Sequence, residues 1–173
     1  MKFFRQSLIV LSSILATLLS FVGSANSDGH GEFKLGVVTF LSGPAAEPFG
    51  VPAWNGGKLF IKLLNEGKAP APYNKKGFGG MKITAIPIDE SGGATKQVQE
   101  FRNLVQRDKV DAVLGYVSSG DCMAIPSVAD ELQALTVLYD CGTPRVFEDA
   151  SYKYVFRTAA HAAMDNMEML PER

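Results

Sequence analysis

The chain has 173 residues, 46% hydrophobic and 20% charged, with 17 glycines and 9 prolines, enough for one ordinary domain with a core but not for two full-sized ones. That supply of apolar residues excludes fibrous, mucin-like and strongly disordered classes. A net charge of -1 gives no global positive field for nucleic acid, and two cysteines with two histidines neither build a disulfide-dense scaffold nor favour a His-rich metal site.

Lys2 and Arg5 open a short basic start, residues 8–22 are apolar apart from a few hydroxyl side chains, and Gly23, Ser24 and Ala25 are small. This pattern predicts a signal peptide over 1–25, cut after Ala25, and hence export to the periplasm. The apolar run falls short of the about 20 residues that span a bilayer. Residues 26–32 read as a loose polar leader.

Strand and helix then alternate. Leu35, Val37, Val38 and Phe40 predict a buried strand over 33–40, broken by Ser42-Gly43-Pro44. Clustered apolar residues between Ala53 and Leu64 predict a helix weakened at Gly56 and Gly57, and 65–80 read as an exposed connection. A strand over 81–88, with a break at Pro87, precedes the clearest helix, where Ala94, Val98, Phe101 and Val105 recur at four, three and four. Ser91 or Asp89 is its candidate cap. A third strand is expected over 111–117, then a turn at Ser118-Ser119-Gly120. The helix that follows carries Ala124, Ile125, Val128, Ala129 and Leu132, with Pro126 best tolerated in its first turn. Strands over 135–139 and 154–156 and a helix over 161–170 complete the series.

This alternation predicts an α/β fold with an open, mostly parallel sheet and helices on both faces. Ligands of such sheets bind beyond the carboxyl ends of the strands, where 41–49, 118–122 and 140–143 are expected to share one rim. Ser118-Ser119-Gly120 offers backbone N–H groups and hydroxyls at a helix start, suited to a carboxylate; the bland alternative is that both serines only cap the helix. Asp140-Cys141-Gly142-Thr143 either presents backbone groups and the Thr143 hydroxyl to the same ligand or is an ordinary turn before Pro144. Phe49 is either a cover for an apolar ligand part or packing. Cys122 and Cys141 follow successive strands and are read either as a disulfide joining the two loops or as buried free thiols. No dinucleotide fingerprint or phosphate loop follows the first strand, neither His30 nor His161 is placed to serve as a base, and no metal site or cofactor is expected. An enzyme is not the expectation.

The strand 34–40 followed by Leu41-Ser42-Gly43-Pro44 and Phe49-Gly50, then Val110-Asp111-Ala112-Val113-Leu114-Gly115, Ser118-Ser119-Gly120 and Tyr154-Val155-Phe156-Arg157-Thr158, resembles one family in order and spacing. That family is the periplasmic solute-binding proteins of ABC importers, of the leucine/isoleucine/valine-binding type. The resemblance covers the amino-terminal lobe, and it implies a type I periplasmic-binding-protein fold that is incomplete here, with most of lobe one present and lobe two missing. On that reading 33–158 form the ligand-binding lobe and 159–173 the crossover and start of a truncated second lobe. It further implies that Ser119, with Ser118 and Gly120, holds the carboxylate of an amino acid or related small carboxylate. Asp140, Cys141, Gly142 and Thr143 would contact its amino and carboxylate groups, and Phe49 would lie against it. Asp140-Cys141-Gly142 departs from the small residues the family usually places before that threonine. The implied partner is an ABC permease in the inner membrane if the protein is full length. Alternatives are a truncated or split fragment that binds nothing by itself, or a ligand-sensing module of the same fold.

Overall fold

The structure, a computed structural model, describes residues 31–168. The signal peptide read at 1–25, most of the leader and the last residues of the chain lie outside them. The first strand, β1, runs Glu32–Thr39 and so begins inside the expected leader. A single wide helical turn, Ala46–Gly50, follows and passes directly into α1, Val51–Glu66. Gly50 is obligatory there: a Cβ would fall 1.7 Å from the Phe40 carbonyl oxygen. Helix α1 ends at Gly67, which takes a left-handed conformation (φ 69°) that glycine adopts without penalty. Asn65, expected in the connection, is helical, and its amide holds both backbone groups of Ile83 at 2.7 and 2.8 Å.

The second strand, β2, is Lys82–Asp89, and Pro87 lies within it rather than ending it. This is tolerated because β2 is an edge strand paired only with β1, so the missing N–H faces away from the ladder. Helix α2, Gly93–Arg102, continues as a wide turn over Asn103–Arg107, close to the predicted periodic segment. Neither Ser91 nor Asp89 caps it; its N-cap is Gly92. The third strand, β3 (Ala112–Gly115), leads into α3 (Ser119–Glu131), which starts earlier than expected and leaves Pro126 inside the helix. Ser118 nucleates that earlier start by capping it, and buried Pro126 then forfeits one internal hydrogen bond. The fourth strand, β4 (Thr136–Leu138), an unforeseen one-turn helix α4 (Arg145–Glu148), β5 (Val155–Arg157) and α5 (Ala162–Glu168) follow.

All five strands are parallel in the order β2-β1-β3-β4-β5, with Gly36 beside Val113, Val113 beside Thr136 and Thr136 beside Val155. Because side chains alternate along a strand, one face carries Val38, Val113, Thr136, Leu138 and Val155. This face meets Phe101, Leu104, Ile125, Val128 and Ala129 from the α2 and α3 segments, and these residues form the core. No described helix is long and apolar enough to cross a membrane.

Candidate functional site

From β1 the chain crosses to β2 on one side, and from β3 it crosses to β4 on the other. The carboxyl ends of β1 and β3 therefore flank the point where strand order reverses, the position at which open α/β sheets form a crevice. The three segments expected at one rim all leave carboxyl ends of neighbouring strands: 41–49 after β1, 118–122 after β3 and 140–143 after β4.

At the centre of the rim Ser118 is extended (φ -64°, ψ 124°) and caps α3, its hydroxyl accepting the Asp121 amide at 3.3 Å. Its carbonyl accepts the Cys122 amide at 2.9 Å. Ser119 and Gly120 are exposed in the first turn, where backbone N–H groups have no intrahelical acceptor. The two serines are placed differently, and only Ser118 caps the helix. Ser118 supplies the cap, and Ser119 with Gly120 leaves donors facing outward at the positive end of the helix, an arrangement that favours an anion.

The loop after β4 is more committed. Asp140 is exposed, Cys141 is buried, and Gly142 and Thr143 are half-buried. The Gly142 carbonyl accepts the Ala162 amide at 2.9 Å, and the Thr143 hydroxyl accepts the Arg145 amide at 3.3 Å. Cys141 is paired with Cys122 of α3, with Cα atoms 6.2 Å apart, so the serine turn and this loop are linked side by side. Among the described residues no cysteine is free.

The loop after β1 is held by Asp89 at the end of β2. Its carboxylate accepts the amides of Leu41 (2.9 Å), Ser42 (3.3 Å) and Ser91 (3.1 Å) and the Ser42 hydroxyl. Burial opposes ionisation of Asp89, but these donors outweigh it and hold its carboxyl well below the usual range. Phe49 lies in the wide turn, 53% exposed.

Two residues at this rim escaped the sequence reading. Glu90 is fully buried at the end of β2, with its carboxylate on the amides of Val117 and Ser118. Burial, with the nearby charges of Asp121 and Asp140 adding to it, pushes Glu90 up to about 7 against those two hydrogen bonds. Burial likewise raises Asp121 and Asp140. Arg157, at the end of β5, donates to the Thr143 carbonyl and lies 5.3 Å from the centre of the Phe147 ring. Burial lowers its guanidinium below the ordinary value. The spacing of apolar residues carries no signal for either one. His161 follows β5, and among the described residues no cluster of His, Cys, Asp or Glu could hold a metal ion.

The model of the family described as "Periplasmic binding protein" matches residues 32–171. No curated protein matches the chain. Among solved structures, the solute-binding protein of an ABC transporter from Rhodopseudomonas palustris BisB5, in complex with 3,4-dihydroxybenzoic acid, is 22% identical with a TM-score of 0.63. It covers 77% of this chain and 33% of its own. The branched-chain amino acid transporter substrate-binding protein LivJ of Streptococcus pneumoniae, in complex with isoleucine, is 21% identical with a TM-score of 0.63, covering 75% of this chain and 34% of its own. A leucine-binding protein of Thermotoga maritima is 22% identical with a TM-score of 0.62, covering 79% of this chain and 35% of its own. The chain thus spans about a third of the length of these structures and shares the fold of that third.

Proposed function

The chain belongs to the periplasmic binding protein family, a non-enzymatic family of the extracytoplasmic space, and on that premise we propose that it is the carboxylate-gripping lobe of a solute receptor for ABC-type import. The observation that carries this reading is the start of α3. Exposed Ser119 and Gly120 present first-turn donors at the crevice where the strand order reverses. The ligand is a small amino acid or related carboxylate. Isoleucine and 3,4-dihydroxybenzoic acid, held by two of the similar proteins, both join a carboxylate to a small hydrocarbon framework, aliphatic in one and a hydroxylated ring in the other. Ser118 orders the turn, Ser119 and Gly120 hold the carboxylate, and Asp140, Gly142 and Thr143 line the neighbouring edge. Cys141 ties that edge to the turn through Cys122, and Phe49 covers the apolar end.

The same premise supports weak capture by this chain alone. A rim open on its outer side leaves most of a ligand in water, whereas tight sites bury about 70–90% of a ligand's surface. The reading is therefore of half a site, whose permease partner is engaged by the complete receptor. Amide NMR of the chain titrated with leucine and with benzoate tests it. Shifts confined to 49, 118–120 and 140–143 at millimolar ligand, weakened by Ser119→Ala, which removes the hydroxyl and keeps the backbone donors, are expected; shifts elsewhere, or none, contradict it.

A further inference from the structure

Glu90 is the first residue after β2, and its amide donates to the Thr39 carbonyl at 2.9 Å, which fixes its backbone to the end of β1. Its side chain points into the closed side of the sheet and is 0% exposed. There the two carboxylate oxygens share the Val117 amide at 2.9 and 3.0 Å, and Oε1 also accepts the Ser118 amide at 2.7 Å. Val117 and Ser118 connect β3 to α3, so one side chain just beyond β2 holds the backbone from which the serine turn departs. A buried carboxylate is tolerated only when such donors replace its water, and a buried N–H needs an acceptor equally.

We propose that Glu90 is a positioning residue for the serine turn, and that its hold on the Val117 and Ser118 amides is set by its protonation state. The proposal rests on the carboxylate reading only for its consequence, the placement of Ser119 and Gly120. Ionised Glu90 accepts both amides with full charge. Protonated Glu90 keeps one strong acceptor oxygen and needs an acceptor for its own proton. The neighbouring carboxylate of Asp121, 2% exposed in the first turn of α3, can take that hydrogen bond.

Of the groups near Glu90, the two acids Asp121 and Asp140 favour its neutral form, and the Val117 and Ser118 amides favour its ionised form. Just after β3 comes the Tyr116 hydroxyl, fully buried and without a hydrogen-bond partner among the described residues. Just after β4 comes Tyr139, whose hydroxyl pairs with that of Thr39 at 2.8 Å. Asp121 comes from α3 and Asp140 from the loop after β4, while from α2 the Gln97 amide is turned onto the carbonyls of Asp89 and Ser91. None of the salt bridges among the described residues involves Glu90. Desolvation with two nearby acids accounts for a carboxyl that titrates at about 7 despite its two amide donors.

Two-dimensional NMR of the chain from about pH 5 to about pH 9 tests this, following the Val117 and Ser118 amides together with the Glu90 side-chain carboxyl carbon. All three are expected to move on one curve with a midpoint near 7, while core amides such as that of Val38 stay fixed. Glu90→Gln should remove the curve with core amides unchanged, and Asp121→Asn should lower its midpoint by about one pH unit. Amides that do not titrate, that follow a midpoint different from the Glu90 carboxyl, or that still titrate in Glu90→Gln overturn the proposal. The wild-type curves decide it even if a variant fails to fold. Added leucine that leaves Ser119 and Gly120 unmoved, with the Glu90 curve intact, overturns the carboxylate reading and supports the positioning role.

Discussion

The two faces of the sheet are made from the same strands and are packed differently. On the closed face Val38, Val113, Thr136 and Leu138 are wholly inaccessible beneath the α2 and α3 segments. On the other face Val37, Thr39 and Ala112 are buried, but Leu35, Leu114 and Val137 are only partly so and Leu135 is 42% exposed. Helix α1, which crosses that face, contains no buried residue. Between α1 and the strands lies an apolar cavity of about 470 Å³, lined by Leu35, Val37, Trp54, Phe60, Leu114 and Val137 among others. An apolar sheet sequence therefore does not by itself yield a packed face; a helix of matching shape must also arrive. Stability should reside on the closed face and at the rim joined to it, while the open face contributes little to holding this unit together.

Substitutions on the two faces can break that comparison. Phe101→Ala empties a fully buried site on the closed face and should cost about 3–5 kcal/mol in urea unfolding. Replacing Cys122 and Cys141 together by serine removes a link closing 19 residues between α3 and the β4 loop, for an expected loss of about 3 kcal/mol. Intact mass before and after reduction checks its premise, since an unchanged mass means there is no bridge to lose. Val137→Ala on the open face should cost under about 1 kcal/mol, because the side chain is partly exposed and borders a cavity rather than close-packed neighbours. Equal losses for Phe101→Ala and Val137→Ala would end the distinction.

The ends of the two faces also differ in how they respond to acid. Asp89 and Glu90 are adjacent, yet one carboxyl is held low and the other is raised to about 7. For Asp89 the folded chain prefers the ionised form, so its contribution is present above the ordinary aspartate value and is lost as pH falls through the depressed folded value. For Glu90 the folded chain prefers the neutral form. Its contribution is present below the ordinary glutamate value of 4.5 and is lost as pH rises to about 7, beyond which the dependence is flat. Urea midpoints at about pH 5 and about pH 8 should therefore fall with rising pH in the wild type relative to Glu90→Gln. Parallel profiles for the two proteins would contradict this assignment.

The sequence carried the series of strands and helices and the three rim segments, because each strand is a compact apolar run and each crossover has its own period or turn. It located the serine turn but could not divide the labour within it. Ser118 and Ser119 are identical residues, and only the start of α3 decides which one caps. The earlier start of α3 also places Pro126 mid-helix, where burial outweighs a propensity that argued for the first turn. Glu90 was illegible for a different reason. Beside Asp89 at a strand end it reads as ordinary turn charge, and its burial depends on Val117 and Ser118, 27 and 28 residues further along the chain. The open face was equally hidden, since Val137 and Leu138 look alike in sequence and differ only in what packs on them.

Calorimetric titration of the chain with leucine, isoleucine and benzoate tests the central claim, that it carries one side of a ligand site and does not close around a solute. The account predicts isotherms that fit dissociation constants in the millimolar range, about -4 kcal/mol of binding free energy. A micromolar constant, about -8 kcal/mol, would contradict it and would mean that this rim alone encloses its ligand.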